Sequence, residues 1–339
     1  LENTFGVAGN FAFGSLSAYT VGNSLNNRFL EPEFTTSKEI GVDLSFLKSR
    51  ISTAITVYQT NTTNQTVDMD ISSASGFSSS KINTGEMLNR GAEIEIKTIP
   101  VQTSNLRWDL NVNYAYWYNR VVSLTGTSKE LSLGSNGMYA IVGMPYPTMK
   151  VSRYAVDPQG RTIVDKLTGT PSVDPVLMAR GQTVPKHLIG VQSNLSWKNF
   201  SLAISADYRG GHIFRSGIYW DLIFTGIGEL SASNGRERFV WPNSVYNTGT
   251  AAAPVYVENT NVTTQDGAIA LWTNSIANVT YYSVCSADIW KIREISLSYD
   301  VPSSVFAFTN NAVKGIKIGE VGRNLFMFLP KNNIYTDPE

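Results

Sequence analysis

From Glu39 to Phe46 apolar side chains recur at every second position: Ile40, Val42, Leu44 and Phe46 alternate with Glu39, Gly41, Asp43 and Ser45. From Arg50 to Gln59 the same rhythm returns, with Ile51, Thr53, Ile55 and Val57 on one face and Ser52, Ala54, Thr56 and Tyr58 on the other. A period of two means β-strand, because successive side chains leave an extended backbone on opposite sides. Only Leu47, Lys48 and Ser49 separate the two runs, so they pair as a tight hairpin. After Gln59 the alternation dissolves into Asn61, Thr62, Thr63, Asn64, Gln65 and Thr66 and a long polar segment. The unit from Thr35 to Thr66 is therefore two long strands with a short turn at one end and a long loop at the other.

That unit recurs. Ala92, Ile94 and Ile96 alternate with Glu93, Glu95 and Lys97, and a turn at Pro100 leads to Leu106, Trp108, Leu110, Val112, Tyr114 and Tyr116 on one face. A third pair runs His187 to Trp197 and Phe200 to Arg209 around Lys198 and Asn199, and a fourth runs from about Ile289 to Tyr299 and Lys314 to Phe326 around Pro302. A change of phase between Trp290 and Ile295 predicts a bulge. A weaker strand opens the chain between Phe5 and Phe13. Very long connections, about Asn119 to Lys186 and Gly210 to about Asp288, separate the pairs, and loops of that size usually carry function. The pattern predicts an all-β protein of about nine strands of ~10–12 residues, longer than ordinary strands. Strictly alternating short and long connections, with strands apolar on one face only, fit part of a transmembrane β-barrel better than a soluble sandwich. Ile51, Ile55, Leu110, Val112, Leu202 and Ile204 then form a lipid-facing band. Tyr58, Tyr116, Trp197 and Tyr208 near strand ends belong at the lipid–water boundary.

Composition agrees with extended structure. Charged residues are 16% of the chain, against roughly a quarter in ordinary soluble proteins, and aromatic residues are 11%. The 27 basic and 27 acidic residues balance without long runs of either sign, which leaves nucleic-acid binding without the basic face it requires. One cysteine, Cys285, excludes an internal disulfide and a thiolate metal cluster. No apolar run approaches the ~20 residues of a membrane-spanning helix. The chain starts at Leu1 with no leader sequence, so its first residue carries no information about compartment.

Four phrases add a family resemblance. Leu30-Glu31-Pro32-Glu33-Phe34-Thr35-Thr36-Ser37-Lys38-Glu39-Ile40-Gly41-Val42-Asp43 resembles a segment of SusC-like (SusC/RagA) TonB-dependent transporters. Asn83-Thr84-Gly85-Glu86-Met87-Leu88-Asn89-Arg90-Gly91-Ala92-Glu93 is similar to a strand entry of that family. Trp290-Lys291-Ile292-Arg293-Glu294-Ile295-Ser296-Leu297-Ser298-Tyr299-Asp300-Val301-Pro302 resembles its penultimate hairpin. Gly322-Arg323-Asn324-Leu325-Phe326, followed by Thr336-Asp337-Pro338-Glu339, is similar to its motif near the C-terminus. They occur in the family's order. The resemblance implies a barrel of about 22 strands in the outer membrane of a Gram-negative bacterium of the Bacteroidota. Residues 1–339 would supply its C-terminal part, with the plug domain, earlier strands and last strand outside this chain. It further implies a SusD-like lipoprotein partner, coupling to TonB through the absent N-terminal part, contact with outer-membrane lipid, import of an oligosaccharide or peptide, and no cofactor. Short turns would face the periplasm and long loops the cell exterior.

Catalytic chemistry finds little support. His187 and His212 show no metal-ligand spacing. Glu93 and Glu95 share a face as a paired-carboxylate site would, but Lys97 beside them favours a polar wall. Asp68-x-Asp70 and Asp157-Pro158-Gln159-Gly160 lack the further ligands of a calcium loop, and no phosphate loop or nucleophile elbow is present. The substrate-binding candidates are the loop aromatics Tyr219, Trp220 and Trp241, whose rings can stack on a sugar or hold a peptide side chain. They can equally pack the loop against its neighbours. The leading expectation is a TonB-dependent importer that makes and breaks no bond. A secreted all-β adhesin or carbohydrate-binding module is the alternative, and an enzyme comes third.

Overall fold

The computed structural model describes residues 5–9, 16–83, 85–134, 137–265, 269–276, 279–309, 312–333 and 336–338. They form two compact units. The first is built on an eight-stranded sheet in which the chain runs strictly up and down. Its strands are β1 (Phe34–Phe46), β2 (Ile51–Thr63), β3 (Glu86–Gln102), β4 (Leu106–Ser123), β5 (His187–Trp197), β6 (Phe200–Gly210), β7 (Ile289–Val301) and β8 (Ile316–Phe328). Every neighbouring pair is antiparallel. Eight long strands stand where the alternation suggested about nine. The weak opening run is instead a short ribbon, Phe5–Val7 against Tyr19–Val21, and residues 10–13 of the run lie outside the described residues.

The register sorts side chains onto two unlike faces. One row across six strands reads Val42, Ile55, Ile94, Tyr114, Ile189 and Tyr208; the row beside it, on the opposite face, reads Asp43, Ala54, Glu95, Asn113, Gly190 and Asp207. Directly paired residues share a face, so the first face is apolar and the second polar along the sheet. Ile51 and Ile55 are exposed, Leu110, Val112, Leu202 and Ile204 are half-buried, and none of the six belongs to a sealed core. Tyr116, Trp197 and Tyr208 share the apolar face, as expected. Tyr58 does not: it pairs with Gly91 on the polar face. A methyl group at Gly91 would overlap the Tyr58 phenol ring, so glycine is what lets the ring lie across the neighbouring strand.

Three of the four hairpin turns are tight. Leu47, Lys48 and Ser49 all adopt left-handed backbone, with φ of 53°, 56° and 64°, and Arg50 then donates from Nη2 to the carbonyl oxygens of Ile99 at 3.0 Å and Pro100 at 3.2 Å. The backbone N–H of Lys198 donates to Asn105 O at 2.7 Å, and that of Asp300 to Asn199 O at 2.8 Å. Each turn is thus tied to the next hairpin. Pro100 is not a turn residue, contrary to the sequence expectation. Strand β3 continues to Gln102, Pro100 falls inside a register shift between Thr98 and Val101, and the turn lies at Thr103–Asn105. A shift of this kind tolerates proline because the ladder is already interrupted there. The bulge expected between Trp290 and Ile295 is present, with a register shift between Ile292 and Glu294.

The second unit comprises Met149–Thr183, His212–Ala287 and Pro330–Glu339. The two long connections are therefore not slack. They fold on each other around Tyr154, Ile223, Leu271, Trp272, Ile276 and Val279. Ser152 and Thr280 exchange backbone-to-hydroxyl hydrogen bonds of 3.0 Å in both directions. Thr162–Ile163 pairs in parallel with Ser244–Val245. An eight-residue helix, α1 (Gly217–Phe224), is capped by Ser216, whose hydroxyl accepts from the Tyr219 N–H.

The Gly91–Tyr58 joint gives a direct check. Gly91→Val should destabilise the folded protein in detergent by about 1–3 kcal/mol through overpacking. Combining it with Tyr58→Ala should cost less than the two single changes summed, by on the order of 1 kcal/mol in a urea double-mutant cycle.

Candidate functional site

The polar face of the sheet carries most of its charge in compensated groups. Lys97 Nζ lies 2.9 Å from Glu95 Oε2, and Arg107 Nη2 lies 2.6 Å from Asp109 Oδ1. Glu93 shares this face with Glu95 but does not act with it as a dyad, since Glu95 is engaged by Lys97. Two open clefts of about 320 Å³ lie here, one lined by Asp43, Ser45, Ser52, Glu95 and Lys97, the other by Lys97, Asp109, Asn111 and Asn194. Both offer hydrogen-bond donors and acceptors beside apolar atoms of Leu44, Ala54, Ile99 and Leu110, and both are open, which suits a surface past which solutes move more than a tight binding pocket.

The four sequence phrases resolve into structural clamps. The Glu31 N–H donates to Asn83 Oδ1 at 2.9 Å while Asn83 Nδ2 donates back to Glu31 O at 2.9 Å. Asn64 Nδ2 donates to the Glu31 carboxylate at 2.7 Å, and the Thr66 N–H donates to Glu33 Oε1. The first two phrases thus meet at the long-loop end of the β1–β2 hairpin. The last two meet as well: Glu294 pairs with Arg323 across β7 and β8, and Arg323 Nε donates to Glu294 Oε2 at 3.1 Å. Arg293, the residue at the bulge, reaches the Asp207 carboxylate on β6, with Nη2 donating at 3.0 Å.

In the second unit Tyr219 and Trp241 pack, half-buried, against the core. Trp241 meets Tyr154 edge-on at 5.5 Å between ring centroids, and Tyr154 meets Tyr282 at 5.7 Å. Trp220 lies on α1, a helix that the sequence had placed in a loop, and stacks on Phe224 at 4.8 Å. It is not among the residues packed on that core. Tyr281, Tyr282 and Arg180, whose guanidinium lies 4.8 Å from the Tyr281 ring centre, extend the aromatic group. In the sequence the Tyr281-Tyr282 doublet is the signal that points to them. Burial first, and the Tyr281 phenol second, push Tyr282 up from its ordinary value, so it stays a neutral hydrogen-bonding group.

The aspartates that suggested calcium loops have protein partners. Asp68 pairs with Lys81 at 2.9 Å. Asp157, buried, accepts from the Gln159 and Arg161 N–H groups at 3.0 and 2.8 Å and pairs with the Arg161 guanidinium at 2.7 Å. Desolvation pushes its carboxyl up, but the Arg161 amide and guanidinium with the Gln159 amide together hold it below the usual range. Among the described residues no three His, Cys, Asp or Glu side chains are placed to hold a metal. His187 accepts or donates at Nδ1 with the Tyr114 hydroxyl at 2.9 Å and sits between Tyr114 and Tyr116. Cys285 is buried, and burial pushes its thiol up, away from nucleophilic reactivity.

The family model described as TonB dependent receptor-like, beta-barrel matches residues 4–284. The chain belongs to that family. A TonB-dependent receptor of Formosa agariphila is 29% identical over 138 residues, covering 37% of this chain and 13% of the relative. The TonB-dependent receptor SusC of Bacteroides thetaiotaomicron is 26% identical over 216 residues, covering 58% of this chain and 21% of the relative. The chain therefore spans about a fifth or less of these receptors. The RagAB peptide transporter superposes with a TM-score of 0.67 at 18% identity, over 98% of this chain and 35% of the other; a second RagAB structure, in the "closed-closed" state, gives the same score at 17% identity. At that identity the likeness is one of fold. The fold is accordingly all-β and SusC/RagA-like, a portion of a TonB-dependent receptor barrel.

Two outcomes follow. Trp241→Ala should destabilise the second unit by about 2–4 kcal/mol by removing a ring packed on its core, whereas Trp220→Ala should cost less than ~1 kcal/mol; rates of limited proteolysis within residues 149–287 report the difference. The Asp157 carboxyl is depressed in the fold, so its contribution is present above the ordinary Asp value of ~3.9 and is lost as pH falls through the lower folded value. Amide exchange at Arg161 should therefore stay slow at pH 5 and accelerate only below the ordinary Asp range, and Asp157→Asn should abolish that dependence.

Proposed function

We propose that this chain is the C-terminal part of the wall, with two co-folded outer connections, of a SusC/RagA-type importer in the outer membrane of a Gram-negative bacterium of the Bacteroidota. Import would be driven by TonB, engaged through another part of the polypeptide that also carries the plug and further strands. The observation that carries this reading is one continuous antiparallel sheet with an apolar face, a polar face, and connections alternately short and long. In lipid a sheet survives only with its ladder satisfied and its apolar side outward. The edges β1 and β8 are where additional strands of a larger barrel would pair.

The cargo is an oligosaccharide or a peptide, delivered under a SusD-like lipoprotein. The RagAB structures, described as a peptide transporter, favour the peptide arm by fold alone. No bond is made or broken: the polar face offers paired charges and amides along a path. Of the three aromatic candidates Trp220 is the strongest for cargo contact, because Tyr219 and Trp241 are engaged in packing.

Cell fractionation and uptake test the reading. The protein should sediment with outer membranes and need detergent for extraction, and deleting its gene should abolish growth on at least one oligosaccharide or peptide source. Recovery as a soluble monomer without detergent would favour the secreted all-β alternative. Trp220→Ala should lower uptake several-fold at unchanged outer-membrane abundance; unchanged uptake across the substrate panel would remove Trp220 from the site.

A further inference from the structure

On the apolar face, immediately beyond the hydrophobic band at the long-loop end, the register gathers three cations. Lys38 on β1 pairs with Gln59 on β2, and Gln59 pairs in turn with Arg90 on β3. Arg90 Nε donates to Gln59 Oε1 at 2.8 Å, which fixes the guanidinium along the same row. The next row inward is Ile40, Val57, Ala92 and Tyr116, and the next row outward carries Arg120 on β4, opposite Leu88. Arg90 and Arg120 are thus diagonal neighbours across one strand pair, about 7–8 Å apart at the backbone. Lys38, Arg90 and Arg120 are all exposed. The nearest acidic side chain of this face by register, Glu86, stands one row beyond Arg120 and accepts from Asn61 Nδ2 at 3.0 Å.

Their height matters. Lys38 is eight residues along β1 from Phe46 at the short turn; at ~3.4 Å per residue and a tilt near 40°, that is about 21 Å, close to the ~25 Å of a barrel's apolar band. Cations at that level reach the headgroup layer while their stems lie over hydrocarbon. We propose that Lys38, Arg90 and Arg120 form a binding site for the phosphate groups of an outer-leaflet glycolipid of the lipid A class, whose acyl chains lie on the band beneath. The inference rests on the outer-membrane assignment above. The occupant follows from placement: three cations of one sign on a lipid-facing surface, at headgroup depth, complement a doubly phosphorylated lipid.

The test uses the whole receptor, extracted from outer membranes and freed of lipid in detergent. Thermal unfolding is followed with bisphosphorylated lipid A, with the same lipid after phosphatase treatment, and with inorganic phosphate. Bisphosphorylated lipid should raise the midpoint by several degrees, and the dephosphorylated lipid and inorganic phosphate should not. With each cation contributing roughly fivefold at an anionic surface, the combined Lys38→Gln, Arg90→Gln and Arg120→Gln variant should bind on the order of a hundredfold more weakly. Lys97→Gln, on the polar face, should leave binding unchanged. Equal binding by wild type and triple variant, an equal response to dephosphorylated lipid, or an equal response to inorganic phosphate would each overturn the site. If the triple variant does not assemble, the comparison of the two lipids on the wild-type protein decides. Absence of the protein from the outer membrane refutes the importer reading; presence there with indifference to phosphate refutes only this site.

Discussion

Every feature of the eight-stranded sheet depends on keeping one backbone ladder in register. A strand facing hydrocarbon has no water to satisfy a stray N–H or C=O, so its neighbours must supply every partner. The side-chain period of two makes the same register responsible for polarity: a slip of one residue in β1 would turn Asp43 and Ser45 toward the apolar side. The chain fixes register at both ends. At the short turns, Arg50 grips the carbonyls of Ile99 and Pro100, and Lys198 and Asp300 donate to Asn105 and Asn199. At the far end, Glu31, Glu33, Asn64 and Asn83 exchange hydrogen bonds that hold the opening of β1 against β2 and β3.

Irregularities in the ladder are placed where side chains repay them. The register shift at Arg293 removes one residue from pairing, yet it directs a guanidinium to Asp207 and leaves Glu294 opposite Arg323. Bulges re-aim side chains in this manner. Here Arg293 and Glu294 belong to one phrase of sequence that carries the family resemblance, and Arg323, the partner of Glu294, belongs to another. Through Glu294 and Arg323 those two phrases are the halves of one clamp. Glu294 and Arg323 lie on the sheet, so recognising these phrases identifies a strand pairing and not a binding site.

The strands were legible because alternation is a local signal: Ile51 to Val57 or Phe200 to Tyr208 announces its face within ten residues. Tyr58 was read by its nearness to a strand end, although its parity places it with Ala54 and Thr56; parity was the better guide. Pro100 looks like a turn in the sequence because proline usually ends a ladder, and only the pairing of Val101 with Trp108 reveals a bulge instead. The second unit was hidden for a different reason. Its contacts join Ser152 to Thr280 across 128 residues, and segments rich in Gly, Pro and Asn carry no period from which such a meeting can be read. Trp220 fell on a helix because Gly217–Phe224 is apolar nearly all round, which removes the amphipathic rhythm that marks a surface helix. Of the aromatic candidates, the sequence could not separate packing from display: Tyr219 and Trp241 pack on the core of the second unit, and Trp220 stacks on Phe224.

The two units obtain their stability from different sources, and that difference bears on how such a receptor can change. The second unit buries Ile223, Leu271, Ile276 and Val279 almost completely, as a small soluble domain does. The sheet buries Met87 and Val121 in a smaller cluster at its long-loop end, but most of its apolar face has no such interior. Ile40, Val57 and Ile96 remain well exposed in the chain, and burial comes to them only from a surrounding apolar medium. Changes that alter rings in the second unit are felt within its own core and decay over short distances. Changes in the sheet are propagated along a ladder in which each strand sets the register of the next. A substitution in the connections consequently acts locally, while the sheet tolerates exchange of one apolar residue for another but not a shift of phase.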